Sequence, residues 1–173
     1  NNGFETTLIS GPTNLDGIPG INIIKVNSAK EMLNATLENL PTDVAIFSAA
    51  VADYKVNKIE TEKIKKKNIL SLSLEKNVDI LGHISNHNSL RPKLVIGFAA
   101  ETSELEKNSQ KKLLEKNCDW IIANDISNAD IGFDSEYNEV SIFYKNMKKE
   151  KIPKIEKSIV ADKIVKRVIE QIN

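Results

Sequence analysis

A doubly wound α/β domain with a mostly parallel sheet is the fold this sequence predicts, and three observations predict it. Short β-branched apolar runs alternate with amphipathic stretches at helical spacing, the pattern of strands joined by crossover helices. Several of those runs are apolar throughout, as strands covered on both faces require. The length of 173 residues fits one domain, with no internal repeat and no low-complexity linker to divide it.

Residues 5–10 make the first expected strand, closed by Gly11-Pro12-Thr13 because proline cannot donate to a ladder. Residues 21–26 make a second. The segment from Ser28 to Glu31 is a capping box, its hydroxyl and carboxylate satisfying backbone donors reciprocally. The helix it opens carries Met32, Leu33, Thr36, Leu37 and Leu40 on one face and stops at Pro41. Residues 44–47 are a short apolar strand. Leu70, Leu72 and Leu74 alternate with serines, which predicts a strand with one wet face. Residues 94–98 form a buried-type strand, a helix covers 103–117, and residues 120–123 form the next strand. A late β-hairpin is expected from 139–144 and 151–155 around Asn146. Ser158 then starts a terminal helix with Ile159, Val160, Ile164, Val165, Val168, Ile169 and Ile172 at helical spacing.

Composition narrows the function. The chain is 40% hydrophobic and 28% charged, with 24 basic and 24 acidic residues. That balance excludes a disordered tail and a nucleic-acid binder that relies on bulk positive charge. No apolar run reaches the roughly 18 to 20 residues that span a membrane. Cys118 stands alone and cannot form an internal disulfide, which predicts a reducing, cytoplasmic setting. The cations are 22 Lys and two Arg, alongside 23 Ile and 19 Asn, as in the drift of an AT-rich genome. A lysine here is surface by default and must be singled out by its context.

Ligands of open α/β sheets bind beyond the carboxyl ends of the strands. Three such ends are small and polar: Ser48-Ala49 onward to Asp53, Ala99-Ala100-Glu101-Thr102, and Asn124-Asp125. Small residues let a ligand approach backbone amides, and the acids and amides beside them can hold hydroxyls or a base. There is no G-x-G-x-x-G and no G-x-x-x-x-G-K-[ST], so a nucleotide must be held another way. Lys63-Ile64-Lys65-Lys66-Lys67 places four mutually repelling cations together. Such a segment could close over a triphosphate, or it is a solvated loop. Lys112 and Lys116 share a helix face at i, i+4, which is unfavourable alone and useful against an anion. His83 and His87 are spaced i, i+4 on a short expected helix, without Cys or carboxylate partners at ligand spacing. Cys118 reads as a small buried hydrophobe.

In order along the chain stand SAAVADYK, EKIKKK, LEKNVDIL, LVIGFAAET, ANDIS and GFDSEYNEVSIF. Together they resemble the phosphopantothenate–cysteine ligase domain of the bifunctional coenzyme A biosynthesis proteins, over essentially the whole chain. The resemblance implies a Rossmann-like fold and a ligase. CTP activates the carboxylate of 4′-phosphopantothenate as an acyl-cytidylate with Mg²⁺ assisting, and the amine of L-cysteine then displaces CMP. It also implies roles by position. Ser48 and Ala49 line the nucleotide pocket, Asp53 contacts the nucleoside and Phe98 packs near the cytidine. Lys63 matches the essential flap lysine, Lys112 and Lys116 match two lysines that reach the nucleotide, and Val78-Asp79-Ile80-Leu81 matches a P-D-I-V stretch with valine in place of proline. The hairpin near residues 139–144 corresponds to a dimer contact, so a homodimer is expected.

The sequence departs from the family in one respect. The stretch I-S-N-x-S-S-G-K-M-G, which opens the family's domain and contains its acyl-cytidylate asparagine, has no counterpart here. Neither has the decarboxylase domain that uses FMN. With Asn1 rather than methionine at its start, the chain is expected to lack the first βα unit of the fold. The 173 residues alone are then expected to show no ligase activity, so no CMP should form from phosphopantothenate and cysteine. Two other functions are compatible with the residues alone: a non-catalytic nucleotide-binding module, and an oxidoreductase, disfavoured by the missing glycine fingerprint.

Overall fold

A computed structural model describes residues 3–15, 17–59, 62–64, 71–101, 103–125 and 135–173. In chain order the elements begin β1 (Thr7–Ser10), β2 (Asn22–Lys25), α1 (Ala29–Glu38), β3 (Val44–Phe47), β4 (Tyr54–Val56), β5 (Leu74–Lys76) and α2 (Ile80–Ser85). After them come β6 (Leu94–Glu101), α3 (Leu105–Lys116), β7 (Trp120–Asp125), β8 (Tyr137–Tyr144), β9 (Lys149–Glu156) and α4 (Lys157–Ile172). They form two compact units, Asn1–Glu38 with Ala50–Ile80, and Asn39–Ala49 with Leu81–Asn173.

Among the described residues the first unit holds two small sheets and the helix α1. β1 and β2 pair in parallel from Thr7↔Asn22 to Ser10↔Lys25. At the start of α1 the Glu31 N–H donates to Ser28 Oγ at 3.2 Å. The Glu31 carboxylate reaches back to the N–H of Asn27 at 2.9 Å, one residue earlier than in the usual capping box. That bond is the main reason the Glu31 carboxyl sits below its ordinary pKa. β4 and β5 form an antiparallel ribbon, with Lys55 and Glu75 directly opposite and ion-paired at 3.1 Å. This corrects the strand expected at Leu70, Leu72 and Leu74. Leu72 lies outside any strand and Leu70 outside the described residues, while pairing begins at Leu74. The partner strand β4 is too short to announce itself, and the ribbon's apolar side chains are exposed, so alternation here marks no buried face.

The second unit contains a five-stranded sheet in the order β3-β6-β7-β8-β9. Its first three strands are parallel, and the hairpin β8–β9 adds two antiparallel ones. Alternation along the strands sends side chains to two cores. Leu94, Ile96, Trp120, Ile122, Val140 and Ile142 face Val160, Ile164 and Val168 of α4. Val95, Ala99, Ile121, Ala123 and Phe143 face Leu113 of α3, with Leu81 of α2 packed alongside. Helices on both faces make this the doubly wound α/β arrangement expected from the sequence. Each large side chain fully buried there contributes about 1.5–3 kcal/mol. Cys118 is among the fully buried residues, and desolvation raises its thiol pKa to about 11, so it is an inert core residue.

Both arginines act as clamps between elements. Arg91 donates to Ser85 O at 2.8 Å, to Asn117 O at 3.0 Å and to Asp119 Oδ2 at 3.0 Å. Arg167 of α4 donates through Nε to Glu150 Oε2 at 2.7 Å, and Tyr144 Oη donates to the same carboxylate at 3.1 Å. The Arg167 bonds hold the Glu150 carboxyl below its ordinary pKa, while desolvation pushes the Tyr144 hydroxyl up to about 12. Gly97 of β6 leaves room for α2: a Cβ there would lie 2.6 Å from Leu81 Cδ2 and 3.0 Å from Ile121 Cδ1.

Gly97→Ala is expected to cost about 1–3 kcal/mol by overpacking, read as a lowered urea midpoint with the slope unchanged. Glu150 binds a proton less tightly when folded than when unfolded. Its stabilising contribution is therefore present above the unfolded carboxylate pKa and fades as pH falls through the lower folded value. Between about pH 7 and about pH 3 the urea midpoint of Glu150→Gln should fall less than that of the wild type. Equal slopes in the two proteins would refute the clamp.

Candidate functional site

In the second unit the sheet register sets which residues meet at the carboxyl edge. Val44↔Leu94 through Phe47↔Gly97 pair in parallel, so Ser48 leaves β3 level with Phe98. Ala49 follows it, and both are exposed. Across β7, Phe98 pairs with Ile122, Ala100 with Asn124 and Glu101 with Asp125. β6 and β7 thus run two or three residues beyond their expected ends at 98 and 123, because they remain paired to the edge.

Phe98 and Lys112 lie on opposite faces of this sheet. Phe98 packs against the core beneath α4, together with Val44. Asn124 shares that face by alternation, and its Oδ1 is buried with no hydrogen-bond partner among the described residues. An unpaired buried acceptor at a strand end calls for an explanation, and a ligand donor is one. The sequence marks Asn124 only as one amide at a small polar strand end; the fold shows that its oxygen has no partner among the described residues. On the other face Lys112 Nζ lies 3.3 Å from Glu101 Oε1. A ligand reaches both Phe98 and Lys112 only over the edge of the sheet.

Lys116 lies one turn beyond Lys112, about 6 Å further along α3. Its carbonyl accepts from Ser85 Oγ near the amino ends of β6 and β7. Leu81, in the stretch matched to P-D-I-V, lies over Gly97 and packs on the α3-side core. α2 ends at Ser85, so His87 sits in the following turn rather than on a helix with His83, and its Nδ1 accepts the Leu90 N–H at 3.1 Å. Among the described residues no group of three His, Cys, Asp or Glu is placed to hold a metal. Between α3 and the hairpin a cleft of about 160 Å³ is lined by Asp125, Glu139, Ser141, Lys149 and Lys151. The lysines there are already paired, Lys151 with Glu139 at 2.8 Å and Lys149 with Glu106 at 2.7 Å.

In the first unit the ribbon gathers another group. The Asn77 N–H donates to Asp53 O at 2.8 Å, and Asn77 Nδ2 donates to Ala52 O at 2.8 Å. Pairing therefore sets Asp53 at the foot of the ribbon beside the segment that continues into Val78 and Asp79, both exposed, and Ile80, which is buried. Lys63 belongs to the connection between β4 and β5 and is exposed; Lys65, Lys66 and Lys67 lie outside the described residues.

The chain matches the family described as the DNA/pantothenate metabolism flavoprotein C-terminal domain over residues 1–172. It is 44% identical over 168 residues to the coenzyme A biosynthesis bifunctional protein CoaBC of Borreliella burgdorferi, a match covering 95% of this chain and 42% of that protein. The CoaBC of Haemophilus influenzae is 39% identical over 171 residues, covering 98% of this chain and 42% of that protein. The chain thus spans less than half the length of these relatives. Its structure is similar to the crystal structure of the C-terminal domain of a CoaBC, with a TM-score of 0.77 and 33% identity, covering 97% of this chain and 74% of that one. Among the described residues no helix is long and apolar enough to cross a membrane.

Proposed function

Because the chain belongs to the DNA/pantothenate metabolism flavoprotein C-terminal domain family, we propose that it carries the phosphopantothenate–cysteine ligase activity of coenzyme A biosynthesis. The observation that most supports this is its 44% identity to a CoaBC over 95% of its length. In the proposed reaction a carboxylate oxygen of 4′-phosphopantothenate attacks the α-phosphorus of CTP, and the bond to diphosphate breaks. The amine of L-cysteine then attacks the acyl carbon, the bond to CMP breaks, and the nitrogen loses a proton as the amide forms.

The residues of this chain suit an anionic nucleotide. Ser48 and Ala49, small and at a strand end, let the nucleotide approach the backbone. Phe98 offers an aromatic face, and Asn124 Oδ1 is an acceptor for the amino group of a base. Asp53 takes the nucleoside hydroxyls. Val78, Asp79, Ile80 and Leu81 form the stretch matched to P-D-I-V, with Ile80 and Leu81 acting through packing. Lys112 and Lys116 supply positive charge along α3 for the phosphates. Lys63 neutralises the charge that develops on the phosphates in the transition state, the kind of term that dominates many enzymic rate enhancements. Among the described residues no group of three acids or histidines is placed to hold a metal, so a Mg²⁺ ion would be held mainly by the nucleotide phosphates and water, where it would offset their charge. The working form is proposed to be a cytoplasmic homodimer, with the β8–β9 hairpin at its contact.

Calorimetric titration should show binding of CTP in preference to ATP and NAD; preference for NAD would overturn the ligase reading in favour of an oxidoreductase. In the full-length protein, Lys63→Gln should abolish CMP formation from phosphopantothenate and cysteine, with circular dichroism and unfolding midpoint unchanged. Near-normal turnover would return Lys63 to a solvated loop.

A further inference from the structure

Glu101 ends β6 with a side chain only 17% exposed, and α3 occupies both of its carboxylate oxygens. Asn108 Nδ2 donates to Oε2 at 3.2 Å, and Lys112 Nζ donates to Oε1 at 3.3 Å. The two donors are one helical turn apart, on the same face. Asn108 is itself held by donating to Ser103 O at 3.0 Å. A lysine on a solvated helix face is a flexible stem with a hydrated ammonium and no fixed address. Lys112 has one, at the carboxyl end of a parallel strand, where ligands of this architecture bind. An ammonium has three donors, so a bond to Glu101 leaves capacity for an anion.

We propose that Glu101 is a positioning residue: it holds the Lys112 ammonium at the edge of the sheet, aimed at the phosphates of the nucleotide. The proposal rests on the ligase reading above and deepens it. Glu101 acts through Lys112 and does not touch the nucleotide; Asn108, by engaging the second oxygen, keeps the carboxylate turned toward α3. Two opposing effects are at stake. A carboxylate near the site repels a triphosphate, whereas an anchored lysine meets it without having to be ordered first. A part-buried carboxylate with both oxygens engaged favours the second effect, since the anchoring cost is met in the free protein.

The test uses the full-length protein, with CTP as the probe. Dissociation constants come from calorimetry, and KM and kcat from CMP release. Glu101→Ala should raise Kd and KM for CTP roughly tenfold, the loss of about one charge-assisted hydrogen bond, with kcat nearly unchanged. Glu101→Gln, which keeps a carbonyl acceptor for Lys112, should fall between Glu101→Ala and the wild type. The double variant E101A/K112A should bind CTP no more weakly than K112A alone, because Glu101 has nothing to position once the ammonium is gone. Losses that simply add, or a Glu101→Ala protein that binds CTP as tightly as the wild type or tighter, would overturn the proposal and leave the ligase reading standing. A wild type that fails to bind CTP would overturn both. Glu101→Gln is nearly isosteric and carries the test if Glu101→Ala does not fold.

Discussion

The pairing of β6 with β7, fixed at its start by Asp119, is the constraint on which the second unit depends. The Asp119 carboxylate accepts the Val95 N–H at 2.7 Å and the Arg91 guanidinium at 3.0 Å, while its own N–H donates to Val95 O at 2.8 Å. These are short, partly charge-assisted bonds at the first rungs of a parallel ladder. A slip of one residue would turn every side chain to the other face. With the register pinned, Ile96, Ile122 and Ile142 meet α4, while Val95, Ile121 and Phe143 meet α3. Six positions later the same register sets Glu101 beside Asp125 at the opposite end of the sheet.

The fold therefore divides its polar residues by end and by face. At the amino ends of the strands lie the bonds that hold elements together: Ser85 to the Lys116 carbonyl, and Arg91 to Asn117 and Asp119. At the carboxyl ends lie the Asn124 oxygen, unpaired among the described residues, the exposed Ser48 and the Lys112–Glu101 pair. Gly97 connects the two ends, since its missing side chain lets Leu81 lie close to the sheet just before the site residues begin.

Much of this was legible in the residues, and the exceptions have physical causes. The expected strand 44–47 matches β3 to the residue, and the hairpin and terminal helix nearly so, because hydrophobic period and turn chemistry agree there. The ribbon was half missed. Tyr54–Val56 is three residues long and exposed, so burial leaves no pattern on it. The i, i+4 spacing of His83 and His87 predicts a shared helix, but α2 ends at Ser85, whose carbonyl accepts from Arg91. Residue type marks Glu101 as a polar residue at a strand end, but its partner Lys112 is eleven positions away and across a loop, beyond the reach of local pattern. The left-handed Glu104 that redirects the chain into α3 leaves no sequence signal of its own.

Local sequence sets the alternation of strands and helices, the small polar residues at the strand ends, and the motif order that ties the chain to its family. Those depend on local periodicity and residue type, which each segment carries wherever it is placed. Tertiary structure sets the rest: Phe98 and Lys112 occupy opposite faces, Asn124 Oδ1 is buried without a partner among the described residues, and Lys112 is anchored by Glu101 eleven positions away. These are properties of pairing between distant segments, and they exist only once the sheet register is set.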